Sequence, residues 1–337
     1  MRPSRLALLL LAGLLLISGA AIVPLPFFLE SPGVVLGLGE RVKVDRPGSQ
    51  PLDGDYLLTT VYLSRGTTVG VVSAWFDPDI RVLRAEEVLA PGQDSQRFFD
   101  RQQALFDETA GQAAAVGLRA AGFDVGPQDL HGDGALIVQI VPGSAADGLL
   151  LPEDVIVRAG GGPVETFEGL RGALAAARPG DPVQLTLRRA GRTLEVDTRP
   201  RPVPGSPDQR PLLGVEARTL NARIDLPVPV KVDSGNIGGP SAGLMIALTV
   251  FDKVDPVDLA HARRIAGTGT IALDGGKVGP IGGIQQKVLA AARQRIDVFL
   301  APGEQLGQAR EGLPSGSRMK LVGVDTFAEA VDALKRG

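Results

Sequence analysis

Residues 236–248 read Asn236-Ile237-Gly238-Gly239-Pro240-Ser241-Ala242-Gly243-Leu244-Met245-Ile246-Ala247-Leu248. Glycines permit a tight turn and the close approach of a ligand. Proline is favoured at the first position of a helix, so the apolar run forms a helix with Ser241 in its opening turn. Unpaired N–H groups and the positive end of the helix dipole gather there and suit a developing oxyanion. Taken alone, Ser241 reads better as a residue that merely helps to cap a buried helix.

A second segment, Gly279-Pro280-Ile281-Gly282-Gly283-Ile284-Gln285-Gln286-Lys287-Val288-Leu289-Ala290-Ala291-Ala292, is a turn that opens another helix. Ile284, Lys287, Val288 and Ala291 fall at i, i+3, i+4 and i+7 and share one face. Lys287 therefore sits among apolar residues, where either its stem snorkels to water or its amine is used. Desolvation lowers the pKa of a lysine, and a neutral amine is a general base toward a serine hydroxyl.

The rest of the chain narrows the chemistry. With 337 residues, 44% hydrophobic and 22% charged, it is of ordinary globular composition and long enough for two compact domains. A net charge of -3 and 4% aromatic residues argue against a nucleic-acid partner. There are no cysteines, and the two histidines, His131 and His261, lack metal-site spacing, so no metal or cofactor is expected. Gly275-Gly276-Lys277 lacks the remainder of a phosphate-binding loop, and no nucleotide is expected to bind.

Leu6 to Val23 is an 18-residue run without a charge, behind Arg2 and Arg5 and ahead of Pro24 and Pro26. It predicts a transmembrane helix, with the N-terminus cytoplasmic and the bulk outside the cell membrane in a single-pass arrangement. Phe27 and Phe28 are expected near the interface. A cleaved signal peptide ending in Ser18-Gly19-Ala20-Ala21 is the competing reading. The expected organisation is an anchor over 1–30, a β-rich then helical segment over 31–121, a small β-rich unit over 122–199, a Pro-rich linker over 200–211, and an α/β unit over 212–337. The fold class is thus multidomain α+β and α/β behind a transmembrane helix.

Within 122–199, Gly134-Ala135-Leu136-Ile137-Val138, Val141-Pro142-Gly143-Ser144-Ala145-Ala146 and Leu150-Leu151-Pro152-Glu153-Asp154-Val155-Ile156 resemble the peptide-binding strand and two turns of bacterial PDZ domains. Glu153-Asp154 departs from the Gly-Asp usual there, and no proline follows Ser144. The resemblance implies capture of an extended peptide along Gly134, Ala135, Leu136 and Ile137 by strand addition. His131, just before that strand, reads as a surface residue. A small β-sandwich that only packs against its neighbour is the competing reading.

Gly-Pro-Ser-Ala-Gly around Ser241 and Pro-Ile-Gly-Gly-Ile-x-x-Lys-x-x-Ala-Ala around Lys287 resemble the two signatures of the Lon protease catalytic domain. The resemblance implies a Ser-Lys dyad: Ser241 as nucleophile, Lys287 as its base, Thr268 orienting the lysine, and the backbone N–H groups of Gly239 and Ser241 holding the oxyanion. Gly238 stands where cytoplasmic Lon enzymes usually carry aspartate. The implied activity is ATP-independent serine endopeptidase action on unfolded or flexible exported or membrane polypeptides, with a homo-oligomeric ring among the implied assemblies. The rival reading is a catalytically silent, membrane-tethered PDZ scaffold.

Overall fold

The computed structural model describes residues 24–47, 49–89, 95–178, 180–202 and 212–336. In chain order the elements are β1 (Pro24–Gly37), β2 (Val42–Val44), β3 (Asp55–Thr67), α1 (Thr68–Ala74), β4 (Arg81–Arg84) and α2 (Ser95–Ala120). Then come β5 (Ala135–Ile140), β6 (Val155–Ala159), α3 (Phe167–Ala175), β7 (Val183–Arg189), β8 (Arg192–Thr198) and β9 (Val215–Thr219). The remainder holds β10 (Val230–Val232), α4 (Gly243–Val254), β11 (Arg264–Gly267), α5 (Ile284–Ala292), β12 (Val298–Pro302), β13 (Lys320–Val324) and α6 (Phe327–Lys335).

Two compact units result. One draws on the chain up to Gly126 and again from Leu226; the other, Pro127–Asp225, is inserted between those halves in sequence. In the first, a mixed sheet runs β13-β12-β11-β3-β1-β4. Strand β3 pairs in parallel with β11, Asp55 to Leu58 facing Arg264 to Gly267, and antiparallel with β1. Strands β3 and β4 and the latter part of β1, from the stretch over 31–121 expected as a segment of its own, thus share one sheet with the C-terminal strands. Helix α4 is buried from Gly243 to Asp252, as a helix apolar on every side must be. The buried Tyr56 hydroxyl donates to Asp252 at 2.9 Å and ties β3 to that helix.

The transmembrane helix expected over Leu6–Val23 lies outside the described residues. Among the described residues no helix is long and apolar enough to cross a membrane. Residues 24–30, expected within the anchor, instead open strand β1, with Phe28 and Glu30 buried in the sheet. The alternation Phe28-Leu29-Glu30 puts every second side chain inward, and proline is tolerated at the start of a strand. The transmembrane fold class, the membrane partner and the single-pass localisation are corrected on this finding: the described fold is mixed α/β in two units.

In the inserted unit an antiparallel sheet runs β8-β7-β6-β5-β9 over a core that includes Ile137, Ile156, Leu170, Leu185 and Leu213. Strand β9, which falls in the stretch expected to belong to the C-terminal domain, closes this sheet: Val215 faces Ile140 and Thr219 faces Ala135. The expected linker lies largely outside the described residues, but Arg201 and Leu212 at its two ends are bridged. Asp154 is 1% exposed and takes two bonds from Arg189, at 2.8 and 2.6 Å, and one from the Leu151 N–H. Glu153 holds φ 73°, a left-handed conformation, which explains why glycine is usual at that turn position.

Candidate active site

Pro240–Ala242 form a single 3-10 turn that leads into α4, and the turn presents the Ser241 hydroxyl at its start. On α5 the face formed by Ile284, Lys287, Val288 and Ala291 is buried throughout. The lysine stem does not snorkel out to the protein surface from there, and Lys287 is 3% exposed. Its Nζ lies 2.7 Å from Ser241 Oγ and 3.1 Å from Thr268 Oγ1. Thr268 follows β11, is fully buried, and its hydroxyl donates to the Ser241 carbonyl at 3.1 Å. The Gly269 N–H donates to the same carbonyl at 2.9 Å. The fold thereby brings Ser241, Thr268 and Lys287 together from three separate elements.

Burial lowers the Lys287 pKa from 10.5 to about 7, and attraction to Glu30 opposes part of that fall. A substantial neutral fraction therefore exists at neutral pH, with its lone pair within hydrogen-bond reach of a hydroxyl. Such an amine takes the serine proton as the oxygen attacks a carbonyl. Ser241 and Lys287 border a cavity of about 320 Å³ whose walls include Val34, Leu36, Val61, Tyr62 and Ile237. The walls are mostly apolar, and an apolar substrate side chain suits them.

Two expected backbone donors differ in state. Ser241 lies in the first helical turn, where N–H groups lack an intrahelical acceptor. The Gly239 N–H is engaged instead, donating to the Gln102 carbonyl of α2 at 2.7 Å. Gln102 also accounts for Gly238: a Cβ at that position would stand 2.9 Å from Gln102 Cβ and 3.1 Å from its carbonyl carbon. Helix α2 occupies the space an aspartate side chain would need. Nothing in the local sequence around Gln102 signals this contact.

The expected peptide-binding residues of the inserted unit are placed otherwise. Ala135, Leu136 and Ile137 lie in β5, which pairs with β6 on one side and β9 on the other, and Gly134 exchanges backbone bonds with Glu165 and Leu220. An interior strand has no free N–H and C=O row for an added strand, so β5 is corrected as the site of strand addition. The terminal strand on that side is β9. Between it and α3 lies a cavity of about 470 Å³, lined by Phe167, Leu170 and Leu174 of the helix and by Leu213, Val215 and Ala217. The signal for it in the sequence is Leu212-Leu213-Gly214, an apolar turn directly before a short strand. His131 is half-buried, 3.4 Å from Asp225 and 3.7 Å from Glu165.

Comparison with known proteins gives two family matches. Residues 217–334 match the Lon protease (S16) C-terminal proteolytic domain, and residues 120–199 match the PDZ domain. The chain is similar to the Lon protease of Campylobacter concisus, 31% identical over 119 residues, which are 35% of this chain and 14% of that protein. It is also similar to the Lon protease of Methanosphaera stadtmanae, 41% identical over 83 residues, 23% of this chain and 10% of that protein. Against these two curated relatives the chain spans only 14% and 10% of their length. Among solved structures, the PDZ domain of an SdrC-like protein from Listeria innocua covers 25% of this chain and 93% of its own, at 16% identity and a TM-score of 0.24. The chain carries a Lon-type proteolytic domain and a PDZ-type domain.

Proposed function

We propose, from the premise of a Lon-type proteolytic domain preceded in sequence by a PDZ-type domain, that this protein is a serine endopeptidase acting on unfolded or flexible polypeptides through a Ser241-Lys287 dyad. The observation that carries the reading is a buried lysine amine 2.7 Å from the hydroxyl of a serine in a helix-opening turn. Neutral Lys287 takes the Ser241 proton while Oγ attacks the scissile carbonyl carbon. The oxyanion is held by the Ser241 N–H, joined by the Gly239 N–H once its bond to Gln102 is exchanged for one to substrate. The Lys287 ammonium then protonates the leaving amine as the C–N bond breaks, leaving an acyl-Ser241. A water, deprotonated by the again neutral Lys287, attacks the ester, and the Lys287 ammonium returns that proton to Ser241 Oγ as the C–Oγ bond breaks and the acid leaves. Thr268 fixes the amine by its 3.1 Å contact and keeps the nucleophile turn in place through the Ser241 carbonyl.

The test is cleavage of a dye-quenched unfolded protein without ATP. Ser241→Ala is expected to lower the rate at least about 10⁴-fold, as removal of a nucleophile does in triad enzymes. Equal cleavage by wild type and variant would sink the assignment.

In the PDZ-type unit the reading places a substrate C-terminus along β9, with its last apolar side chain in the groove against α3. Ala217→Arg puts a charge into that groove and is expected to weaken binding of a fluorescent peptide with a free, apolar C-terminus at least about tenfold. Unchanged anisotropy titrations for the variant would move the peptide elsewhere.

A further inference from the structure

Glu30 is a carboxylate that the fold buries without satisfying. The residue is 6% exposed on β1, and its Oε2 is a buried oxygen with no hydrogen-bond partner. Arg81, opposite it on β4 and half exposed, comes only to 3.9 Å. A buried polar atom left unpaired costs free energy and calls for an explanation beyond packing. The other side of Glu30 supplies one. Gly283, at the start of α5, holds φ 67°, and a Cβ there would stand 2.6 Å from Glu30 Oε1. The Gly283 carbonyl accepts the Lys287 N–H at 3.0 Å, so the carboxylate abuts the first turn of the helix that carries Lys287. The helix N-terminus and the lysine charge both favour an ionised carboxylate there. Ser241 and Thr268, which touch the amine, are neutral hydroxyls.

We infer that Glu30 is a positioning residue for Lys287: its carboxylate is the buried counter-charge that stabilises the ammonium when the serine proton arrives, and so sets the pH at which the site turns on. The inference rests on the Ser-Lys reading above and deepens it. Burial raises the Glu30 pKa, while Arg81 and then Lys287 pull it down; reciprocally, Glu30 raises that of Lys287 against the larger effect of burial. The sign follows. Activity needs neutral Lys287 and rises as pH climbs through its pKa. Removing the negative charge lowers that pKa, so the acid limb moves to lower pH.

Glu30→Gln, nearly isosteric, is expected to shift the acid limb of kcat down by about one pH unit. Its plateau kcat falls about tenfold, because the ammonium is less stabilised, while KM stays within about twofold. Glu30→Asp keeps the charge and retains the wild-type limb. A merely structural Glu30 would lower the melting temperature and leave the limb where it was, which would overturn the inference. Two arms do not need activity. In protein labelled with ¹³C at lysine Cε, assigned with Lys287→Arg, the Lys287 titration midpoint falls in Glu30→Gln. By reciprocity, in Lys287→Met labelled at glutamate Cδ the Glu30 midpoint rises by a similar amount. Midpoints that stay put overturn the coupling even in an active protease. Midpoints that move in a protein whose cleavage survives Ser241→Ala uphold the coupling and overturn the dyad instead.

Discussion

Lys287→Met yields a protein that is more stable than the wild type and inactive. Methionine preserves most of the apolar stem, so the packing among Ile284, Val288 and Ala291 is kept. What disappears is the buried charge. In the unfolded chain Lys287 holds its proton up to pH 10.5, whereas in the fold burial brings the pKa to about 7. Between those values the unfolded state binds the extra proton, so this residue makes wild-type stability rise with pH from about 7 to 10.5 and costs most at and below pH 7. A shift of this size corresponds to roughly 5 kcal/mol. The Ser241 and Thr268 hydroxyls each lose a partner, at about 1 kcal/mol apiece, which leaves a net gain of about 3 kcal/mol near pH 7. Denaturant unfolding at pH 7 and pH 10 reads the effect: the advantage of the variant shrinks as pH rises. A variant less stable than wild type at pH 7, or parallel pH profiles, would show that the amine is not held dry. Cleavage falls at least about 10⁴-fold alongside. Greater stability bought with lost activity is a signature that a merely structural lysine would not give.

Phe28→Ala is the second large effect, and it bears on where the folded part begins. The side chain is 1% exposed, between Arg65 on β3 and Leu83 on β4 in the strand register. Truncating a fully buried phenylalanine removes its transfer free energy and leaves a cavity, together about 3–5 kcal/mol. The denaturation midpoint should drop accordingly with an unchanged slope. A residue exposed at the end of an apolar segment would respond within about 0.5 kcal/mol, and such a result would remove Pro24–Glu30 from the sheet.

The sequence by itself determined the local structure of the candidate site. Pro240 before Ser241 at the head of an apolar run specifies a helix-opening serine, and the 284, 287, 288, 291 spacing specifies a lysine on a buried face. Both are local: a period of 3.6 and a preference for proline in the first turn act over a few residues, and the fold realises them in α4 and α5. The same local rules misread other elements. Leu6–Val23 followed by two prolines suggested that the anchor runs to residue 30, yet the inward alternation of Phe28 and Glu30 belongs to a strand, and the residues opposite these two lie more than thirty positions away. Gly134–Ile137 has the pattern of a strand in a small sheet, and pattern alone does not say whether a strand is interior or terminal. That was decided by β9, returning from beyond the linker to cover β5. Likewise the parallel pairing of β3 with β11 joins positions on either side of the inserted unit. The contact between Gly239 and Gln102, and the burial of Glu30 against the turn at Gly283, exist only once those sheets and helices are packed. Periodicity tells which face of an element avoids water. Which element covers that face, and which carboxylate ends up beside a buried amine, is set by non-local packing that no window of sequence contains.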